Sequence, residues 1–227
     1  MPKVNEAYII QKKQDILDAT FRICMKKPLY HVTMNDVIKE TGMCQGGIYR
    51  YYANFHDILF ALIERESQYD DFRKNVDDLF ESDLLPEMVA AKLIRMVLRE
   101  PRDIEKILFE LTVLFADQPD LYAEFSQKMS IVNDEVYLMG RAITYLAVYV
   151  ANGYFKPMAS IEDIFLTLIA SIDGIKRDVI LMSYYRVGGD ANETNFPNFE
   201  TKALTNVLIK QFILMLGGDI GKIKELL

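Results

Sequence analysis

Between Thr33 and Tyr52 the chain reads Thr-Met-Asn-Asp-Val-Ile-Lys-Glu-Thr-Gly-Met-Cys-Gln-Gly-Gly-Ile-Tyr-Arg-Tyr-Tyr, and no other stretch limits the fold as much. Thr33 is a strong helix N-cap, and Asp36 three residues on can complete a capping box. Gly42 suits the C-terminal stop, where a residue must take positive φ. A second short helix is expected over about 45–52. Its opening glycines, Gly46 and Gly47, each cost up to ~1 kcal/mol relative to alanine, so helix propensity does not account for them. Apolar Val37, Ile38, Met43 and Ile48 bracket the turn, with Ile38 four residues before Gly42 and Ile48 six after it. That is helix-turn-helix spacing, which sets the angle between the helices and frees the second to enter a major groove.

The remainder also reads helical. Ile16, Thr20, Ile23 and Leu17, Phe21, Cys24 form a 3.6-residue stripe that Pro28 stops. A long pattern starts near residue 54 and runs to about 79. Further patterns cover roughly 86–99, 103–115, 119–153, 160–186 and 198–216, with Pro101, Pro119, Pro157 and Pro197 between them. No run alternates like a strand. The segment from Gly188 to Pro197 has turn composition. The expectation is an all-α fold of about nine helices.

Charge and cysteine narrow the class. The 227 residues carry a net charge of −7, but residues 1–60 hold eight Lys/Arg against six Asp/Glu. A mildly basic head on an acidic body is compatible with docking on phosphate, and equally with chance variation. The longest uncharged run, from Ala142 to Phe155, is too short for the ~18 apolar residues of a membrane span. No apolar signal core follows the N-terminus, and two cysteines, Cys24 and Cys44, make no disulfide framework. A cytoplasmic protein is expected.

For the helix-turn-helix, the side chains carry a chemistry. Glycines at a helix start let backbone approach a phosphate or base edge. Tyr49 and Tyr51 offer hydroxyls to phosphate, while Gln45 suits adenine and Arg50 guanine. A helical hairpin with glycines for packing and half-buried tyrosines fits the spacing equally well.

From Ile16 to Leu59 the sequence resembles, without a gap, the TetR-type regulators of bacteria. The resemblance rests on Ile16-Leu17-Asp18-Ala19, Thr33, Asp36-Val37-Ile38, Gly42, Gly46-Gly47-Ile48-Tyr49-Arg50-Tyr51-Tyr52 and Leu59. It departs from the family pattern at Ile38, usually Ala, and at Cys44, usually a capping Ser. It departs again at Cys24, at Pro28, and at Phe55, where the family usually has a lysine on the DNA backbone. The resemblance implies a DNA-binding domain over 1–53 (motif about 33–52) and a helical effector-binding and dimerisation domain over 54–227. DNA contacts are expected from Thr33, Gln45, Gly46, Gly47, Tyr49, Arg50 and Tyr51. The last two long helices would pair in a homodimer, with Leu204, Val207, Leu208, Phe212 and Met215 at the interface. An effector bound in the body would tilt the long fourth helix and change the separation of the heads.

The effector itself is expected to be small and apolar or amphipathic, since the body is rich in Met, Phe and Tyr. Glu110 and Arg141 sit inside apolar runs; with Met96, Phe109 and Tyr137 they are the pattern-based candidates for its pocket. No catalytic residue, metal or cofactor is expected. His31 and His56 lack Glu-x-x-His spacing, and no glycine-rich phosphate loop follows a strand. Cys44 near a helix start leaves a redox role open. The expected function is a repressor released from a palindromic operator. The competing readings are a TetR-fold DNA-binding protein without effector (chromosome organisation), an activator, and a helical-bundle enzyme or small-molecule carrier.

Overall fold

The computed structural model describes residues 6–67, 71–99, 102–188 and 200–226, without side chains for 183–188. Among them are eleven α-helices, two 3-10 helices and no strand. The chain divides into two compact units, Met1–Tyr69 with Arg102–Asn133, and Asp70–Pro101 with Asp134–Leu227.

The first unit holds α1 (Glu6–Lys26), a 3-10 turn η1 (Leu29–His31), α2 (Met34–Thr41), α3 (Gln45–Tyr49), α4 (Phe55–Ser67), α7 (Asp103–Asp117) and α8 (Pro119–Lys128). Glu6 in the first turn of α1 and Lys26 in its last complement the helix dipole. The stripe read from the sequence is buried at Ile16, Leu17, Thr20, Ile23 and Cys24, while Phe21 is half-buried against the same core. They pack in one core with Val37, Ile48, Ile58, Leu59, Leu62, Ile107 and Leu111. Thr20 is tolerated there because its hydroxyl donates to the Ile16 carbonyl at 2.9 Å.

The second unit holds α5 (Phe72–Phe80), α6 (Pro86–Val97), α9 (Ser130–Ala151), α10 (Ile161–Gly188), α11 (Thr201–Met215) and a terminal 3-10 helix η2 (Ile220–Leu226). Its core joins Ala91, Ile94, Leu146, Phe155, Ile164, Leu168, Leu208, Ile209, Phe212 and Ile223. One buried acid lies among them. Glu87 is 1% exposed; it accepts from the Tyr154 hydroxyl at 2.8 Å and from Lys222 Nζ at 3.0 Å, which fastens η2 to α6.

Two expected helices are each split, which raises nine to eleven. The pattern from 54 to 79 is α4 and α5, and Asp71 just before α5 takes φ 63, a left-handed conformation that no glycine announces. The single long fourth helix of the expectation is therefore not one helix. The pattern from 119 to 153 breaks at Met129, whose extended backbone (ψ 128) and buried side chain serve packing rather than helix continuity. Of the turn-like segment from Gly188 to Pro197, Gly188 ends α10 and the rest lies outside the described residues. The unit around the helix-turn-helix extends past residue 53 to include α4, α7 and α8, so the 1–53 and 54–227 division is not a packing boundary.

Candidate nucleic-acid interface

The site begins at the start of α2. Thr33 is extended (φ −125, ψ 161), and its hydroxyl oxygen accepts from the Asp36 amide at 3.3 Å. The Asp36 carboxylate accepts in return from the Thr33 amide at 2.9 Å and the Thr33 hydroxyl at 2.7 Å. Lys27, at the end of α1, closes on the same carboxylate oxygen at 2.7 Å. Lys27 first and Thr33 second hold the Asp36 carboxyl down to about 2. Two helix ends, the last turn of α1 and the first of α2, are thereby ordered around one carboxylate, and Thr33 stays exposed at the rim.

Gly42 ends α2 at φ 66, as its place in the sequence requires. The chain then passes through Met43 and an extended Cys44 (φ −71, ψ 154) into α3. Cys44 makes no side-chain cap, the outcome expected of a thiol where Ser is usual. What seats α3 is Ile48, fully buried and worth ~1.5–3 kcal/mol of burial. After Tyr49 the turn stays helical, since the Tyr51 and Tyr52 amides both donate to the Ile48 carbonyl, at 2.8 and 3.2 Å.

At 3.6 residues per turn, residues 45, 49, 46 and 50 form one continuous face and 47, 51, 48 and 52 the opposite one. The exposures follow that division. Gln45, Gly46, Tyr49 and Arg50 are exposed, Gly47 and Tyr51 are half-buried, and Ile48 and Tyr52 are buried. A side chain at Gly46 would meet nothing, whereas a Cβ at Gly47 would stand 3.3 Å from Cys44 Sγ and 3.5 Å from the Met43 methyl. Of the two glycines only Gly46 faces outward; Gly47 serves packing within the head. Tyr51 likewise packs against the core. The arrangement presents one amide, one guanidinium and one phenol above a bare stretch of backbone, which is the chemistry of base and phosphate contact.

The other expected site residues fall elsewhere. Glu110 is engaged within the first unit: its carboxylate accepts the Leu29 amide at 2.7 Å and pairs with Lys106 at 3.4 Å. Lys106 in turn donates to the Cys24 carbonyl at the end of α1. This clamp from α7 onto the α1–α2 turn joins residues 81 and 82 apart in sequence, and no local signal marks it. Phe109 is half-buried in the same unit, while Met96, Tyr137 and Arg141 belong to the second. Tyr137 and Arg141 come together on Asp77, at 2.7 and 2.9 Å. In α11, Leu208 and Phe212 are core residues, each 3% exposed, and Phe212 meets the Phe165 ring at 5.9 Å. Neither is available to a second subunit. Val207 is outward at 61%, and Leu204 and Met215 are half-buried. His31 is exposed, and His56 stacks on Phe60 at 6.5 Å between ring centroids.

A helix-turn-helix with this outward face, carried by a larger helical chain, has the architecture of an all-α DNA-binding protein. The sequence profile of the family described as "Bacterial regulatory proteins, tetR family" matches residues 16–62. The HTH-type transcriptional regulator YfiR of Bacillus subtilis is 30% identical over 63 residues, 28% of this chain and 31% of that protein. That match spans about a third of the relative's length. Among solved structures, a TetR transcription regulator from Haloarcula marismortui has TM-score 0.60 at 16% identity, covering 91% of this chain and 97% of that one. Salmonella enterica GusR has TM-score 0.58 at 15% identity, over 95% and 99%. Bacillus subtilis FadR, solved in complex with stearoyl-CoA, has TM-score 0.51 at 16% identity, over 89% and 98%. Residues 16–62 thus match the DNA-binding segment of the tetR family, and the chain shares its fold with TetR-type structures over nine-tenths of its length.

Proposed function

We propose that the protein is a cytoplasmic, homodimeric transcriptional repressor that leaves a palindromic operator when a small apolar or amphipathic effector binds. The observation that carries the DNA-binding part is the outward face of α3, where Gln45, Gly46, Tyr49 and Arg50 stand clear of a core that Ile48 anchors. Thr33 at the start of α2 adds a phosphate contact, and Gly47 and Tyr51 support the face from within the head.

Dimerisation is assigned to the outer stripes of α10 and α11. Leu166 is 65% exposed, Val207 61% and Leu214 50%, and exposed Ala170 and Ala203 continue the same faces at helical spacing. Apolar rows of this kind suit an isologous two-fold contact.

The effector belongs to the second unit, where rings adjoin one another from Phe80 through Tyr145 and Tyr149 to Tyr154 and Phe155, at 4.9–5.4 Å between centroids. Of the pattern-based candidates, Met96, Tyr137 and Arg141 remain assigned to it; Glu110 and Phe109 are assigned to the first unit's own packing. The stearoyl-CoA carried by the FadR structure supports an amphipathic ligand class. The effector must bind the DNA-free form more tightly, because equal affinity shifts nothing.

Mobility shifts on genomic fragments, repeated with long-chain acyl compounds chosen by thermal shift, test both parts. The reading expects shifted fragments, and release by a compound that raises the melting temperature. Absence of any shifted fragment removes the DNA-binding part. Hits that stabilise the protein without changing its DNA affinity remove the effector part.

A further inference from the structure

The head contains more cations than the recognition helix uses, and half of those from α1 to α4 are held in ion pairs. Lys12 pairs with Asp15 at 2.8 Å, Arg22 with Glu40 at 2.9 Å, and Lys27 with Asp36 at 2.7 Å. Arg65 pairs with Asp18 and Glu66 at 2.8 and 2.7 Å. Lys26 and Lys39 flank a shallow trough of about 340 Å³ that they share with Asp36 and Glu40. Two cations of α1 to α4 lack a carboxylate partner or carboxylate-lined surroundings among the described residues: Arg50, on the outward face of α3, and Lys13.

Lys13 lies in the first two turns of α1, where no residue is buried before Ile16. It is exposed, and its Nζ stands 5.9 Å from the centre of the Tyr52 ring. Tyr52 is buried at the end of the recognition turn, so Lys13 is held beside that turn. Its neighbour Lys12 is within electrostatic reach of Tyr51. An ammonium next to the end of α3, with no carboxylate partner among the described residues, has counterions to release when a phosphate replaces them.

We infer that Lys13 contacts the sugar-phosphate backbone flanking the groove that α3 enters, and is a positioning residue for DNA without reading its sequence. The inference rests on the DNA-binding reading above. Lys12 contributes little by comparison, because Asp15 already balances it.

The test is the salt dependence of binding to a random-sequence fluorescent duplex, measured on the full chain across a potassium chloride series. Wild type should bind with an affinity that falls steeply with salt. Lys13→Ala should weaken binding several-fold and reduce the magnitude of the log–log salt slope by ~0.9 per head, ~1.8 for a dimer. The loss should be the same on every sequence. Lys13→Arg should keep the wild-type slope, and Lys224→Ala, an equal charge change in the second unit, should leave it unaltered. A wild-type slope in Lys13→Ala overturns the inference while leaving the DNA-binding reading intact. An equal fall in Lys224→Ala also overturns it, by showing a net-charge effect. If wild type shows no salt-sensitive duplex binding, the DNA-binding reading fails and takes the inference with it.

Discussion

The two units expose opposite chemistry on helices of similar make. In the first, α3 turns an amide, a phenol and a guanidinium outward over a glycine and keeps its apolar residue inside. In the second, α10 and α11 bury their large apolar residues and still leave Leu166, Val207 and Leu214 in the open, while the charge of Glu87 is turned inward. A polar face with bare backbone suits a hydrated, charged partner such as DNA. An apolar face suits another protein surface. The difference shows that helix content alone assigns neither role; what matters is which side of each helix the core takes.

The sharpest way to break this comparison uses adjacent residues of α11. Leu208→Asp should cost ~4–5 kcal/mol by placing an unpaired charge in an apolar core, and thermal melting should show the loss. Val207→Asp should leave monomer folding within ~0.5 kcal/mol yet dissociate the dimer on sedimentation. If Val207→Asp stays dimeric, the outer stripe is not the interface.

A second test concerns the inward charge. Glu87→Gln leaves Lys222 and Tyr154 without their carboxylate and should cost up to ~3 kcal/mol, below the range of a fully buried pair because Lys222 keeps a third of its surface exposed. Guanidinium titration reads it, and proteolysis should find η2 freed first. In the first unit, Arg50→Ala should lose ~1–3 kcal/mol of operator binding and relax one base position per half-site.

The smallest effects lie at the start of α2. Thr33→Ala should lose ~1 kcal/mol of stability with its cap. Asp36 has a folded pKa of about 2 against 3.8 in an open chain, lowered by Lys27 and then Thr33. The unfolded chain therefore takes up this proton at higher pH than the folded one. Its stabilisation is complete above about pH 4 and is lost as pH falls towards 2. Asp36→Asn should flatten that part of the acid melting curve; an unchanged curve would remove the Lys27 contact from the account.

The legible parts of the molecule were those built from local chemistry. The Thr33–Asp36 box, the stop at Gly42 and the buried stripe of α1 each depend on residues within a few positions, so the sequence displays them. Gly47 and Tyr51 were harder, because residue type does not say whether a small or aromatic side chain faces the core or a partner. The breaks at Asp71 and Met129 carry no Gly or Pro; at Met129 the burial of the side chain overrides a continuous helical pattern, and at Asp71 the left-handed backbone has no signal in residue type. Glu110 reads as a pocket residue from its apolar neighbours, but its partner amide is 81 positions away. Leu208 and Val207 are both apolar, and only the position of the core separates their roles.

Base reading by the outward face of α3 is open to one direct measurement. Random duplexes are selected on the unaltered 227-residue chain and on Arg50→Ala, and the bound pools are sequenced. Wild type should enrich a palindrome whose half-sites are centred ~34–36 Å apart, or a multiple of that. Arg50→Ala should flatten one position in each half-site and leave the rest. A wild-type pool with no enriched palindrome, or an Arg50→Ala pool with the wild-type motif at wild-type affinity, would contradict it.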